Sequence, residues 1–194
     1  ALLSPQLLML SGVGPGAPLQ QHGIPELHDL PGVGAHLHDH PDVVQVMEAP
    51  DVKDLFGLSL SGMAQMARGV MQWRKNRTGI LTTNFAEAGG FIKSDPSELV
   101  PDLQLHFVIG KLVDHGRKSV FGHGYSAHVC LLQPRSRGTV TLASKDPMAL
   151  PLVDPNFLAD PYDMERLVRG FKSTREIVAQ PALAQFGARE VAAS

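Results

Sequence analysis

Cysteine is almost absent from this sequence: Cys130 is the only one in 194 residues. An internal disulfide is therefore excluded, as is a metal site built on a cysteine cluster, and a reducing compartment fits. Aromatic residues make up only 6%, a thin supply for a cage around a quaternary ammonium group. No apolar run approaches the roughly 18 residues of a membrane span. No block of Lys or Arg stands out, and at a formal charge of −2 the balance points to neither nucleic acid nor an anionic membrane. Internal repeats and low-complexity tracts are lacking as well. Ala1-Leu2-Leu3-Ser4 has no initiator Met, basic stretch or cleavage pattern, and Val191-Ala192-Ala193-Ser194 does not resemble a domain edge. The sequence reads as one entered partway through a longer chain.

What is present is ordinary globular composition, 43% hydrophobic and 19% charged, enough for a core of good size. Ser4 is placed as an N-cap with Pro5 at the first helical position, and Gly12 is placed to end that helix in the left-handed conformation. A second short helix around Leu19–His22 ends at Gly23. From Ile24 to Pro41 the chain is rich in Pro, Gly and His and reads as extended loop. Val43–Met47 reads as a strand, and Leu58–Trp73 has apolar residues at helical spacing before the cationic end Arg74-Lys75. Leu103–Ile109 alternates, Tyr125–Leu132 is largely apolar, and Thr139–Leu142 is a short alternating strand. Asp160-Pro161 opens a long helix with Met164, Leu167, Val168, Phe171 and Val178 on one face and Arg166, Arg169, Lys172 and Arg175 on a solvated one. Strands in the middle with helices at either end predict an α+β fold, a largely antiparallel sheet with helices on one face. The change of texture near Pro41 divides the chain into residues 1–41 and 42–194.

Several clusters carry chemistry in principle. Gly12-Val13-Gly14-Pro15-Gly16 resembles a phosphate-binding turn, but that motif needs a strand before it and a helix after. Here a helix precedes and Pro15 interrupts, so a helix end and turn is the better reading. His36, His38 and His40 alternate around Asp39, and in an extended chain their imidazoles would share a side, as a zinc or iron site requires. Short His runs in loops are more often solvated, and no metal is expected. Glu87 lies in the small, apolar stretch Phe85–Ile92 and is either an exposed edge residue or a buried carboxylate that needs a partner. His106 interrupts the alternation of Leu103–Ile109, on the polar face of a half-buried strand or in a pocket.

Ser4-Pro5-Gln6-Leu7-Leu8-Met9-Leu10-Ser11-Gly12-Val13-Gly14-Pro15 closely resembles the second signature of the glucose–methanol–choline (GMC) oxidoreductases. The likeness continues through Leu30-Pro31-Gly32-Val33-Gly34, Asp39-His40-Pro41, Glu87-Ala88-Gly89-Gly90-Phe91 and Pro101–His106. It then takes in Ser136-Arg137-Gly138-Thr139-Val140, Asp154-Pro155-Asn156-Phe157 and Arg175–Leu183. The family usually has Asn where this chain has His36.

The resemblance implies an FAD-dependent enzyme that oxidises the CH–OH group of an alcohol by hydride transfer to flavin. Residues 1–41 would then be a remnant of the FAD-binding domain and 42–194 the substrate-binding domain. The family's catalytic His would follow Ser194, so no catalytic residue is expected in this stretch. Ser4, Pro5, Asp39 and His40 are similar to residues beside the cofactor. Glu87 is similar to a pocket carboxylate facing the cationic head of choline in choline-oxidising members, and His106 to a pocket histidine. The implied partners are a small alcohol and the missing part of the FAD domain, in a cytoplasmic enzyme either free or peripheral to the inner membrane when a quinone takes the electrons. By itself, the stretch is expected to hold no FAD and to be inactive.

Overall fold

A computed structural model of the protein describes residues 2–52, 55–118 and 120–193, so Ala1 and Ser194, on which the reading of the two ends turned, lie outside them. The elements in chain order are α1 (Leu3–Leu10), β1 (Val13–Gly14), α2 (Gly16–Gln21), β2 (His28–Asp29), β3 (Asp42–Glu48) and β4 (Gly57–Leu58). They continue with α3 (Leu60–Asn76), β5 (Ala86–Ile92), β6 (Leu103–Val108), β7 (Gly122–Leu131), β8 (Thr139–Thr141) and β9 (Leu152–Asp154). Last come α4 (Pro161–Val178), α5 (Pro181–Ala184) and β10 (Arg189–Ala193).

The chain forms two compact units, residues 1–41 with 134–164, and residues 42–133 with 165–194. The sequence pattern put a single boundary near Pro41 and kept 42–194 together; the packing returns 134–164 to the first unit. The reason is a set of backbone bonds that no local pattern announces. Gly34 accepts from the Val140 N–H at 2.7 Å, and Leu37 and Gly138 exchange both of theirs at 2.9 and 2.8 Å. Gly34 has φ +77°, and a Cβ there would lie 2.1 Å from the Val140 carbonyl oxygen, so only glycine fits this close approach. Met9, Leu19 and Leu142 form the core of this unit.

α1 starts two residues earlier than Ser4 would set it, at Leu3 rather than Pro5. Leu2 already has helical dihedrals and no side chain caps the end, so Ser4 lies inside the first turn rather than at the N-cap. Gly12 does take the left-handed conformation, at φ +82°.

The second unit is built on one antiparallel sheet in the order β10-β3-β7-β6-β5, with the two-residue β4 also paired to β7. The observed fold is therefore α+β with an antiparallel sheet. Helix α4 crosses the sheet at Gly170, whose Cα lies so close that a Cβ would meet Leu103 and Val129 at 2.8 Å. Met47, Tyr125, Ala127 and Val178 form the core on that face.

The buried stripe of α4 is not the one its apolar residues suggest. Asp163, Leu167, Gly170, Thr174 and Val178 are turned inward, while Met164 and Val168 are 46% and 43% exposed. The arginines are not a bare solvated face either. Arg166 pairs with Glu98 and Asp102, Arg169 with Asp95 at 2.8 Å, and Arg175 with Glu190 at 2.6 Å. A close helix–sheet approach favours a small residue over a large apolar one, so counting hydrophobic residues misplaces the face.

Candidate active site

The sheet presents chemistry on the side opposite α4. Residues paired across antiparallel strands share a face, and two adjacent rows here are polar. Asp42 is opposite Cys130, and Cys130 is opposite Gln104, which is opposite Phe91. In the next row Val44 faces His128, His128 faces His106, and His106 faces Gly89. The sequence pattern made β7 a strand because of its apolar content, and burial over the whole of Gly124–Leu131 follows from its central place in the sheet.

His128 is buried at 7% exposure, and its Nδ1 lies 3.0 Å from Asp42 Oδ2. A carboxylate only accepts, so this contact places the ring proton on Nδ1. The other nitrogen, Nε2, is buried with no hydrogen-bond partner among the described residues, an arrangement that costs about 1–3 kcal/mol unless a donor reaches it. Cys130 Sγ lies 4.0 Å from His106 Nε2, and its thiol is pushed above the ordinary range by burial first and by the Asp42 carboxylate second. His106 is half-buried.

Glu87 stands at a β-bulge: the register slips between Ala86 and Ala88, leaving it as the extra residue on β5. It is exposed, as one of the two alternatives held. Across the sheet, on the α4 side, a cleft of about 390 Å³ is bounded by Leu105, Phe107, Ala127, Val178 and Leu183, with the strands at His106 and His128 also forming part of its wall. The pleat turns the His106 side chain away from it.

In the first unit, Ser4 and Pro5 line an apolar cleft of about 520 Å³ with Leu8, Val33, Leu37 and Val140. Asp39 and His40 are exposed and outside that cleft; Asp39 Oδ1 accepts the His40 backbone N–H at 2.9 Å. The imidazoles of the His36–His40 loop do not converge. His38 Nε2 is engaged with the Pro134 carbonyl at 2.7 Å, His36 sits at φ 61°, and among the described residues no group of three or more His, Cys, Asp or Glu is placed to hold a metal. The glycine turn is faced by carboxylates: the Gly16 N–H donates to Asp29 Oδ1 at 3.2 Å, and a Cβ at Gly16 would lie 2.4 Å from Glu26 Oε2. A phosphate would be repelled there.

Sequence reasoning missed Asp42 and His128. The signal was available, since His128 and Cys130 are two apart in a strand and so share a face, but the apolar neighbours hid it.

The family model described as GMC oxidoreductase matches residues 134–194. An alcohol dehydrogenase (acceptor) from Pseudomonas putida is 45% identical over 191 residues, which is 98% of this chain and 34% of that protein. The chain belongs to the GMC oxidoreductases. An oxygen-dependent choline dehydrogenase from Paraburkholderia phytofirmans is 40% identical over the same share of this GMC chain and 34% of its own length. Among solved structures, a formate oxidase from Aspergillus oryzae, studied for modification of its FAD, superposes with a TM-score of 0.80 at 26% identity. It covers 93% of this chain and 36% of its own. This GMC chain thus spans about a third of the length of the relatives it matches.

Proposed function

We propose that the chain is the substrate-side part of an FAD-dependent oxidoreductase that converts the CH–OH group of an uncharged primary alcohol to an aldehyde. The observation that carries this reading is the sheet face on which His106 stands beside His128, with Nε2 of His128 buried and without a partner among the described residues, in a chain 45% identical to an alcohol dehydrogenase. A hydroxyl is both donor and acceptor, so an alcohol oxygen suits a row of imidazoles. FAD, when bound, supplies the hydride acceptor. The cleft at Ser4 and Pro5 has apolar walls with no cation among its lining residues. It fits an uncharged part of that cofactor, with the pyrophosphate held by other residues of the full-length protein. Asp39 and His40, exposed beside this unit's loop, are proposed as cofactor-side residues, and Glu87 and His106 as substrate-side residues.

Choline is the competing substrate, and Glu87 decides between them. A quaternary ammonium donates no hydrogen bond, so a carboxylate or an aromatic face must attract it, and aromatics are 6% of the chain. The test is steady-state kinetics of the full-length enzyme and its Glu87→Gln variant on hexan-1-ol and on choline. The expected result is turnover of hexan-1-ol with KM changed less than about threefold. Good turnover of choline with a KM rise of tenfold or more in the variant, about 1.4 kcal/mol of lost binding, would overturn the uncharged-alcohol reading. A full-length protein without flavin absorbance would overturn the cofactor.

A further inference from the structure

Helix α3 is amphipathic in the opposite sense to a helix packed on a core. Gly62, Gln65 and Gly69 turn toward the protein, and Gly69 is its only buried residue, close against Ile80. At about 100° per residue, Leu60, Met63, Ala67, Val70 and Met71 fall on the outward side. Leu60, Met63 and Met71 are 83%, 62% and 64% exposed. Leu58 and Phe121, bridged at the N-terminal end of α3, extend this apolar surface, and Phe121 is 81% exposed. The helix is held by its N-terminus. Ser59 Oγ accepts the Gly62 N–H and lies 2.7 Å from His123 Nε2, while His123 Nδ1 lies 2.9 Å from the Leu55 carbonyl.

The charge on the helix and its flanking segments has one sign. No Asp or Glu occurs from Leu55 to Ala86, whereas Arg68, Arg74, Lys75 and Arg77 are all exposed. Two carboxylates approach this region and each is paired: Asp114 lies 3.7 Å from Lys118, and Glu48 lies 3.3 Å from Lys111, whose ammonium also donates to the Phe121 carbonyl. The near-neutral total charge of the chain conceals this local excess. We propose that α3 with Leu58 and Phe121 forms a docking surface for an anionic lipid bilayer, lying in the headgroup region. An apolar face rimmed by cations complements lipid tails and phosphate together. Among the described residues no helix is long and apolar enough to cross a membrane, and the 17 residues of α3 suit a helix in the membrane plane.

The test uses the full-length protein and vesicles of phosphatidylcholine with or without phosphatidylglycerol, read by cosedimentation, with melting temperature measured in the absence of lipid. The wild type is expected to bind the anionic vesicles and to be released by salt. Arg74→Gln with Lys75→Gln is expected to bind about 25-fold more weakly, since each cation contributes roughly fivefold. Met63→Gln with Met71→Gln is expected to lose binding without a fall in melting temperature. No binding by the wild type, or equal binding to neutral vesicles by the charge variant, would overturn the proposal. So would a fall in melting temperature, or dissociation of a dimer, in the methionine variant, because the face is then covered by further residues of the protein or by a second copy.

Discussion

Replacing Asp163 by Asn keeps the shape of a side chain with 0% exposure and removes its charge. Asp163 holds the turn that carries Ser136-Arg137-Gly138. Oδ1 accepts from the Arg135 N–H at 2.7 Å, and Oδ2 accepts from the Ser136 N–H at 2.8 Å and its hydroxyl at 2.6 Å. Bonds to an ionised acceptor contribute about 1.5–3 kcal/mol each and neutral ones about 0.5–1.5. An Asn that aims its oxygen at Ser136 keeps two bonds in weakened form and sets its amide against the Arg135 N–H, donor to donor. Two weakened bonds at about 1 kcal/mol each and one lost bond at about 2 give a destabilisation on the order of 4 kcal/mol. For a chain of this size that is roughly 10 °C in Tm. Acid titration separates this cause from mere misfit. Burial alone would raise the Asp163 pKa, but the Ser136 hydroxyl and the Arg135 and Ser136 N–H groups outweigh it and hold the carboxyl below its ordinary value. A depressed folded pKa contributes stability that is present above the unfolded value, about 3.9, and is lost as pH falls through the folded one. The gap between wild type and Asp163→Asn, measured by urea denaturation, should therefore be constant near neutrality and narrow below about pH 4. A gap under about 1 kcal/mol, or one that does not change down to the acid limit, would refute the reasoning.

Gly170→Ala poses a contest between two effects of similar size. A helix interior gains about 1 kcal/mol from the exchange, but the new methyl meets Leu103 and Val129 at 2.8 Å, and overpacking costs about 1–3 kcal/mol. A net loss of about 1 kcal/mol is expected in urea denaturation, whereas a gain would mean that α4 can lift off the sheet freely. The purified 194-residue chain is expected to be colourless, since the cleft at Ser4 and Pro5 has no cation among its described lining residues. Stoichiometric flavin absorbance in the chain alone would refute that.

The sequence alone determined the elements that local spacing encodes. Alternation located β6 and β8, apolar content located β3 and β7, and Asp160-Pro161 marked the start of α4, where Asp160 Oδ1 accepts the Tyr162 N–H at 2.9 Å. The dozen residues from Ser4 to Pro15 carried the family. Tertiary structure decided whatever depends on residues distant in the chain. Segment 134–164 joins the first unit because Val140 and Gly138 bond to Gly34 and Leu37, a pairing across about a hundred positions with no local trace. The inward face of α4 was settled by the closeness of the sheet at Gly170, so the helix buries a glycine, a threonine and an aspartate where periodicity selects Met164 and Val168. Glu87 was visible as an odd carboxylate in an apolar run, but its place at a bulge depends on β6. The Asp42–His128 pair joins positions 86 apart in the sequence. Only the register of β3 on β7 brings that carboxylate to that imidazole, and register is a property of the assembled sheet.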